Sequence, residues 1–204
     1  KRCFAPHAGK VGLMLKCSTL SPFHPTQDVW VNHVEDAVRL GADAIAMAMT
    51  VGSTEQPTLV ANLAALVCEA ERVGMPVVVH ASANGDLVPP DERYWASHVG
   101  YAARLAMELG VDIVKTFYTG SAETFAKVVE MASPALVVAA GGPRLETDTD
   151  VLQMAYNVVQ AGAAGITFGR NVWQSGNITG MVNALKHILH DEGTVEDAMA
   201  KLKA

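Results

Sequence analysis

The sequence is poor in aromatic and charged residues and in cysteine. Only 6% of its 204 residues are aromatic and 18% are charged, and it holds three cysteines, Cys3, Cys17 and Cys68. An odd cysteine count without metal or redox spacing argues against a disulfide framework and for a reducing, cytoplasmic setting. No apolar run reaches the roughly 18 residues of a membrane span, and nothing has the form of a signal peptide, so no membrane partner is expected. The net charge of −6 has no basic cluster behind it, which excludes a nucleic-acid footprint. There is no Walker loop, no GxGxxG fingerprint and no metal-ligand spacing, so neither a cofactor nor a metal is expected. The chain opens Lys1-Arg2-Cys3 without an initiator methionine, and upstream residues are expected.

Half of the residues are hydrophobic. Alanine, valine, glycine and leucine dominate, as in chains that alternate buried strands with packed helices. Strand-length apolar runs lie at 11–19, 42–50, 76–82, 111–120, 135–143 and 165–171. Helical patterns fill the intervals. Asp28 is expected to cap the first, with Val31, Val34, Val38 and Leu40 as its apolar face. Pro57 suits the first turn of the second, whose buried stripe would be Leu59, Leu63, Leu66, Val67 and Ala70. Asp91 is expected to cap a long helix reaching Gly110. Further helices are expected at about 122–132, up to Gly162, and at roughly 177–190 and 194–203.

The helix-to-strand junctions repeat. Leu40-Gly41-Ala42-Asp43-Ala44-Ile45 returns as Leu109-Gly110-Val111-Asp112-Ile113-Val114, with a looser copy at 160–166. Each passes through a glycine able to take the left-handed conformation. Continuous apolar strands alternating with helices indicate parallel β structure buried on both faces. Two folds satisfy that pattern, a doubly wound open sheet and a (β/α)8 TIM barrel. The barrel is favoured, as a single domain over 1–204. Six βα units are visible where a barrel needs eight, so the first two are expected upstream.

In either fold, chemistry collects at the carboxyl ends of the strands. Those ends carry Lys16 and Ser18, then Thr50 with Gly52-Ser53, then His80, Ser82 and Asn84. Lys115 and Tyr118 follow, then Gly141-Gly142-Pro143-Arg144 and Gly169-Arg170-Asn171. Lys115 sits inside the apolar stretch VDIVKTFYTG. It could snorkel its amine to solvent, or the apolar walls could lower its pKa so that the neutral amine attacks a carbonyl. Lys16 is either a second cation that assists by like-charge repulsion or a solvated lysine at a strand end. Alternation places Ile113, Lys115 and Phe117 on one face, and His80, Ser82 and Asn84 on another. If both faces point inward, amine and imidazole share a cavity. Ala140-Gly141-Gly142 and Gly169-Arg170 follow the last two strands, where many barrels bind phosphate through backbone N–H groups and a helix N-terminus. Arg170 could add charge-assisted hydrogen bonds. His187 and His190 share a helix face without a third ligand, which reads as a solvated surface rather than a metal site.

The segments VEDAVRLGADAI, TVGSTE, GMPVVV, IVKTFYTG, VVAAGGPR and GAAGITFGRNVWQ resemble the archaeal-type class I fructose-bisphosphate aldolases. The relatives of that family include 2-amino-3,7-dideoxy-D-threo-hept-6-ulosonate synthases and the thiolase acting on phosphorylated autoinducer-2 derivatives. The resemblance implies a (β/α)8 barrel in a ring-like homo-oligomer acting on a phosphorylated small molecule. It matches Lys115 to the Schiff-base lysine, Lys16 to a usually basic position, and Ala140, Gly141, Gly142, Gly169 and Arg170 to phosphate-binding turns. One motif departs from the family: Ser82-Ala83-Asn84-Gly85 stands where aldolase relatives carry Tyr-Pro-Arg-Gly, whose tyrosine is the acid/base. Ser82 then joins the catalytic set, and His80, two residues earlier on the same face, is the expected proton carrier because imidazole titrates in the useful range. The leading expectation is a Schiff-base enzyme making, breaking or transferring a C–C bond. The alternatives are a phosphosugar-binding barrel that has lost aldol chemistry, and an isomerase using His80 without a covalent step.

Overall fold

The computed structural model describes residues 3–203. In order the chain forms β1 (Met14–Lys16), β2 (Ser18–Ser21), β3 (His24–Trp30), α1 (Val34–Leu40), β4 (Ala44–Thr50), α2 (Gln56–Glu71), β5 (Val77–Ser82) and α3 (Ala96–Glu108). Then come β6 (Ile113–Phe117), α4 (Ala122–Ala132), β7 (Leu136–Ala140), α5 (Asp148–Gln160), β8 (Gly165–Thr167), α6 (Arg170–Trp173), α7 (Ile178–His190) and α8 (Val195–Lys203).

Six strands make one parallel sheet in the order β1-β4-β5-β6-β7-β8, while β2 and β3 pair as an antiparallel hairpin. The strand order decides between the two folds left open by the sequence. In a doubly wound sheet the order reverses, so that right-handed crossovers put helices on both faces. Here it never reverses, so the helices all lie on one side of the sheet. That is the arc of a (β/α)8 barrel, of which the described residues supply six strands.

Burial follows the same division. The helix-facing residues Ile45, Met47, Met49, Val77, Val79, Val114, Val137 and Ala139 are at most 2% exposed. The alternate residues face the barrel axis, and at its lower end Met14 and Leu136 are 45% and 55% exposed. The helix α2 buries the expected stripe, Leu59, Leu63, Leu66, Val67 and Ala70, under the outer face; each leucine so buried contributes about 1.5–3 kcal/mol. A second apolar cluster joins α5, α7 and α8.

The repeated junctions form clamps. Gly41, Gly110 and Gly162 all take positive φ. The Asp43 amide donates to the Leu13 carbonyl (2.8 Å), and the Leu13 amide donates back to Asp43 Oδ2 (2.7 Å). Asp112 and Val77 repeat the exchange at 3.1 and 2.7 Å. Each aspartate thus fixes the register of its strand against the neighbour.

Two sequence expectations fail. Asp28 caps no helix: it lies buried in β3, and the cap of α1 is His33, whose amide donates to Asp36 Oδ2 at 3.0 Å. Of the expected apolar face only Val34 is buried, joined by Ala37, while Val31, Val38 and Leu40 are exposed. Nor does Asp91 open a long helix. The segment from Pro89 to Trp95 runs through turns, and α3 begins at Ala96.

Candidate active site

At the carboxyl pole of the sheet a cleft of about 250 Å³ opens toward the barrel axis. Its walls carry Lys16, Asp28, Thr50, His80, Ser82, Asn84 and Lys115. The register produces this gathering: Ala48, His80, Lys115 and Val138 are successive cross-strand partners on β4, β5, β6 and β7. His80 and Lys115 therefore stand side by side and face the same space. Lys16 lies one layer lower, paired with Ala46.

Lys115 occupies the middle of β6, between the half-buried Ile113 and Phe117. Its amine is not snorkelled from a strand end. Burial lowers its pKa, and the nearby Lys16 charge lowers it further, as like charges do in a poorly hydrated site. His80 is pushed down to about 4, first by burial and then by Lys115 and Lys16. This corrects one sequence expectation, because the imidazole is neutral throughout the physiological range and does not titrate near pH 7. Its Nε2 is shielded from solvent and has no hydrogen-bond partner among the described residues.

Ser82 lies at the end of β5, its hydroxyl 3.3 Å from Thr50 Oγ1 on β4. The loops that follow these two strands are locked by a close approach. A Cβ at Gly85 would fall 2.0 Å from the Gly52 carbonyl carbon, and the Gly85 amide donates to Val51 at 3.1 Å. That contact holds the Thr50, Ser82 and Asn84 side chains at the rim.

Asp28 is the site residue that sequence reasoning missed. The Pro22-Phe23 turn and two prolines disguise a hairpin as a loop, and the hairpin carries Asp28 over β1 to within 3.5 Å of Lys16 Nζ. Lys16 also donates to the Ser18 carbonyl (2.7 Å) and hydroxyl (3.3 Å). It is a fixed cation, not a loose solvated one.

Across the sheet, the turns after β7 and β8 are bound together by Asn171, which is 3% exposed. Its Nδ2 donates to the carbonyls of Gly141 (2.8 Å) and Pro143 (3.3 Å), and its Oδ1 accepts from the Leu145 amide (2.8 Å). Gly141 is required by contact, since a Cβ would lie 2.8 Å from the Phe168 ring. Among the described residues, the amides of Gly141, Gly142 and Gly169 donate to no protein acceptor. Ala140 lines the cleft beside them, and Arg170 is exposed at the start of α6, a helix of a single turn.

A barrel arc with a half-buried lysine of lowered basicity beside a neutral imidazole at its carboxyl pole fits one class, the metal-independent lyases that work through a Schiff base. Comparison with known proteins agrees. The model of the DeoC/LacD family aldolases matches residues 4–175, and the chain belongs to that family. It is 35% identical over 198 residues to the 2-amino-3,7-dideoxy-D-threo-hept-6-ulosonate synthase of Halobacterium salinarum, covering 96% of this chain and 73% of the relative. It is 32% identical over 180 residues to the 2-amino-4,5-dihydroxy-6-oxo-7-(phosphonooxy)heptanoate synthase of Streptomyces griseus, covering 88% of this chain and 65% of that one. A Schiff-base-forming fructose-1,6-bisphosphate aldolase, solved with reaction intermediates, superposes with a TM-score of 0.85 at 34% identity, covering 90% of this chain and 74% of the other. The chain is thus an enzyme of class I aldolase type. No helix among the described residues is long and apolar enough to cross a membrane.

Proposed function

We propose that this enzyme makes, breaks or transfers a C–C bond in a phosphorylated keto compound, with Lys115 as the Schiff-base lysine. The observation that carries the reading is the pairing of Lys115 with His80 in one cleft, both held toward their neutral forms. The neutral amine adds to the keto carbon, and the carbinolamine hydroxyl takes up a proton from solvent and leaves as water, giving an iminium that draws electrons from the adjacent carbon. A C–H or C–C bond there then breaks to yield the enamine. His80, neutral and with an unpartnered Nε2, accepts the proton released in that step. Its low pKa makes the imidazolium a ready donor in return. Ser82 and Thr50 offer hydroxyls to the substrate backbone at the rim.

The free amides of the 141–142 and 169 turns, with Arg170, suit a phosphate one strand away from Lys115. Hydrogen bonds from backbone N–H groups and a guanidinium are the usual means of holding that group. The relatives whose names carry phosphate act on such compounds, and the same chemistry suits this cleft.

The test is proton exchange. Dihydroxyacetone phosphate in D2O should lose the proton next to its carbonyl when incubated with the enzyme, and Lys115→Ala should abolish the loss. Absence of exchange with this or any phosphoketone, while phosphate ligands still bind, would favour the alternative of a binding barrel without aldol chemistry. Exchange that survives Lys115→Ala would favour an isomerase acting through His80 alone.

A further inference from the structure

Asp28 has no part in the steps assigned to Lys115 and His80, yet it is the one charged residue among the buried described residues. Both of its carboxylate oxygens are shielded from solvent, and neither accepts a hydrogen bond among the described residues. The adjacent cation is Lys16, 3.5 Å from Oδ2, but Lys16 directs its shorter bond, 2.7 Å, to the Ser18 carbonyl. A carboxylate has about four acceptor sites, and leaving them empty away from water is destabilising. Stability does not account for the pair either, because apolar replacements of buried ion pairs are often neutral or stabilising.

Position explains it better. Lys16 and Asp28 stand at the β1 edge of the sheet, and the turns with free amides stand at the β7–β8 edge, with Lys115 between them. Ala140 forms the wall of the cleft on that side, and the chain continues from it into the turn with free amides. At the other end Lys16 is paired with Asp28 at 3.5 Å, and the carboxylate keeps unused acceptor capacity. A second phosphate there would set its charge against Asp28, whereas hydroxyl hydrogens would fill the empty sites.

We propose that this cleft takes keto compounds carrying a single phosphate, and that Asp28 determines this specificity by accepting hydrogen bonds from hydroxyls at the unphosphorylated end. The inference rests on the phosphate reading of the 140–142 and 169–170 turns and not on the covalent step. It is therefore tested with ligands that have no carbonyl. Calorimetric titration should show mannitol 1-phosphate binding at least about tenfold more tightly than mannitol 1,6-bisphosphate, the like-charge penalty expected beside a buried carboxylate.

Asp28→Asn keeps the shape, removes the charge and leaves Lys16 free to meet a phosphate. It should bring the two affinities within about twofold or invert them, because hydrogen bonds to a charged acceptor are the strong ones. The wild-type ratio needs no variant and guards against a fold defect in Asp28→Asn. A wild type that binds the bisphosphate as well or better overturns the inference, as does an Asp28→Asn protein that keeps the full preference. If neither hexitol binds, the inference falls together with the phosphate reading, while proton exchange on dihydroxyacetone phosphate judges the role of Lys115 separately.

Discussion

His80 and Lys115 are Cα partners on adjacent parallel strands, so the largely buried imidazole lies beside an amine whose charge further disfavours its protonation. The folded protein holds His80 at about 4, whereas an imidazole in an unfolded chain titrates at about 6.5. Between those values the unfolded chain binds a proton that the native state refuses, so stability falls as pH falls from 6.5 through 4. The loss attributable to His80 is on the order of 3 kcal/mol. Thermal melts at pH 7 and pH 4.5 should show a smaller drop for His80→Gln than for the wild type. Equal drops would mean that His80 titrates normally.

The same substitution separates proton transfer from covalent capture. If His80 is the proton carrier, His80→Gln should slow proton exchange on dihydroxyacetone phosphate by about 10²–10⁴-fold, the usual range for a general base. Lys115 should still be trapped by borohydride in that variant after long incubation. An exchange rate within a few-fold of wild type would pass the role to another group, with Ser82 the nearest alternative on the same face.

Lys16 lowers the pKa of Lys115 by its charge. Exchange activity should rise with pH as Lys115 loses its proton, and Lys16→Met should move that rise to higher pH, because the amine regains some of its ordinary basicity. The measurement is the pH profile of the exchange rate. An unmoved acid limb would show that burial alone sets the amine.

Asn171 ties the turns after β7 and β8 together by three hydrogen bonds. Asn171→Ala should cost about 1–3 kcal/mol of stability by leaving buried carbonyls and an amide unpaired. It should also weaken phosphate-ligand binding severalfold. Asn171→Asp should bind no better, since its second oxygen would meet the Gly141 and Pro143 carbonyls. Calorimetry on both variants checks this, and unchanged affinity would uncouple the turns from phosphate.

Much of this architecture was legible because it rests on local rules. The strands at 44–50, 77–82 and 113–117 are apolar runs between glycine-marked helix ends, and α2 showed its buried stripe through simple spacing. Lys115 stood out because a lysine inside such a run is rare. The choice between barrel and open sheet was not local. It depends on strand order, which pairing alone reveals. Asp28 was hidden for a related reason: its meaning comes from the β2–β3 hairpin folding over β1, and Pro22 and Pro25 gave the hairpin the look of a loop before a helix. The pKa of His80 was equally out of reach, since it depends first on burial in the assembled cleft and then on two lysines from other strands.

The proposed reaction turns on a covalent bond between Lys115 and the substrate. Incubation with dihydroxyacetone phosphate followed by borohydride, digestion and mass spectrometry tests it directly. One adduct per chain is expected, located on the peptide containing Lys115 and absent from Lys115→Ala. An adduct on another lysine, or none with any phosphoketone that the cleft binds, would contradict it.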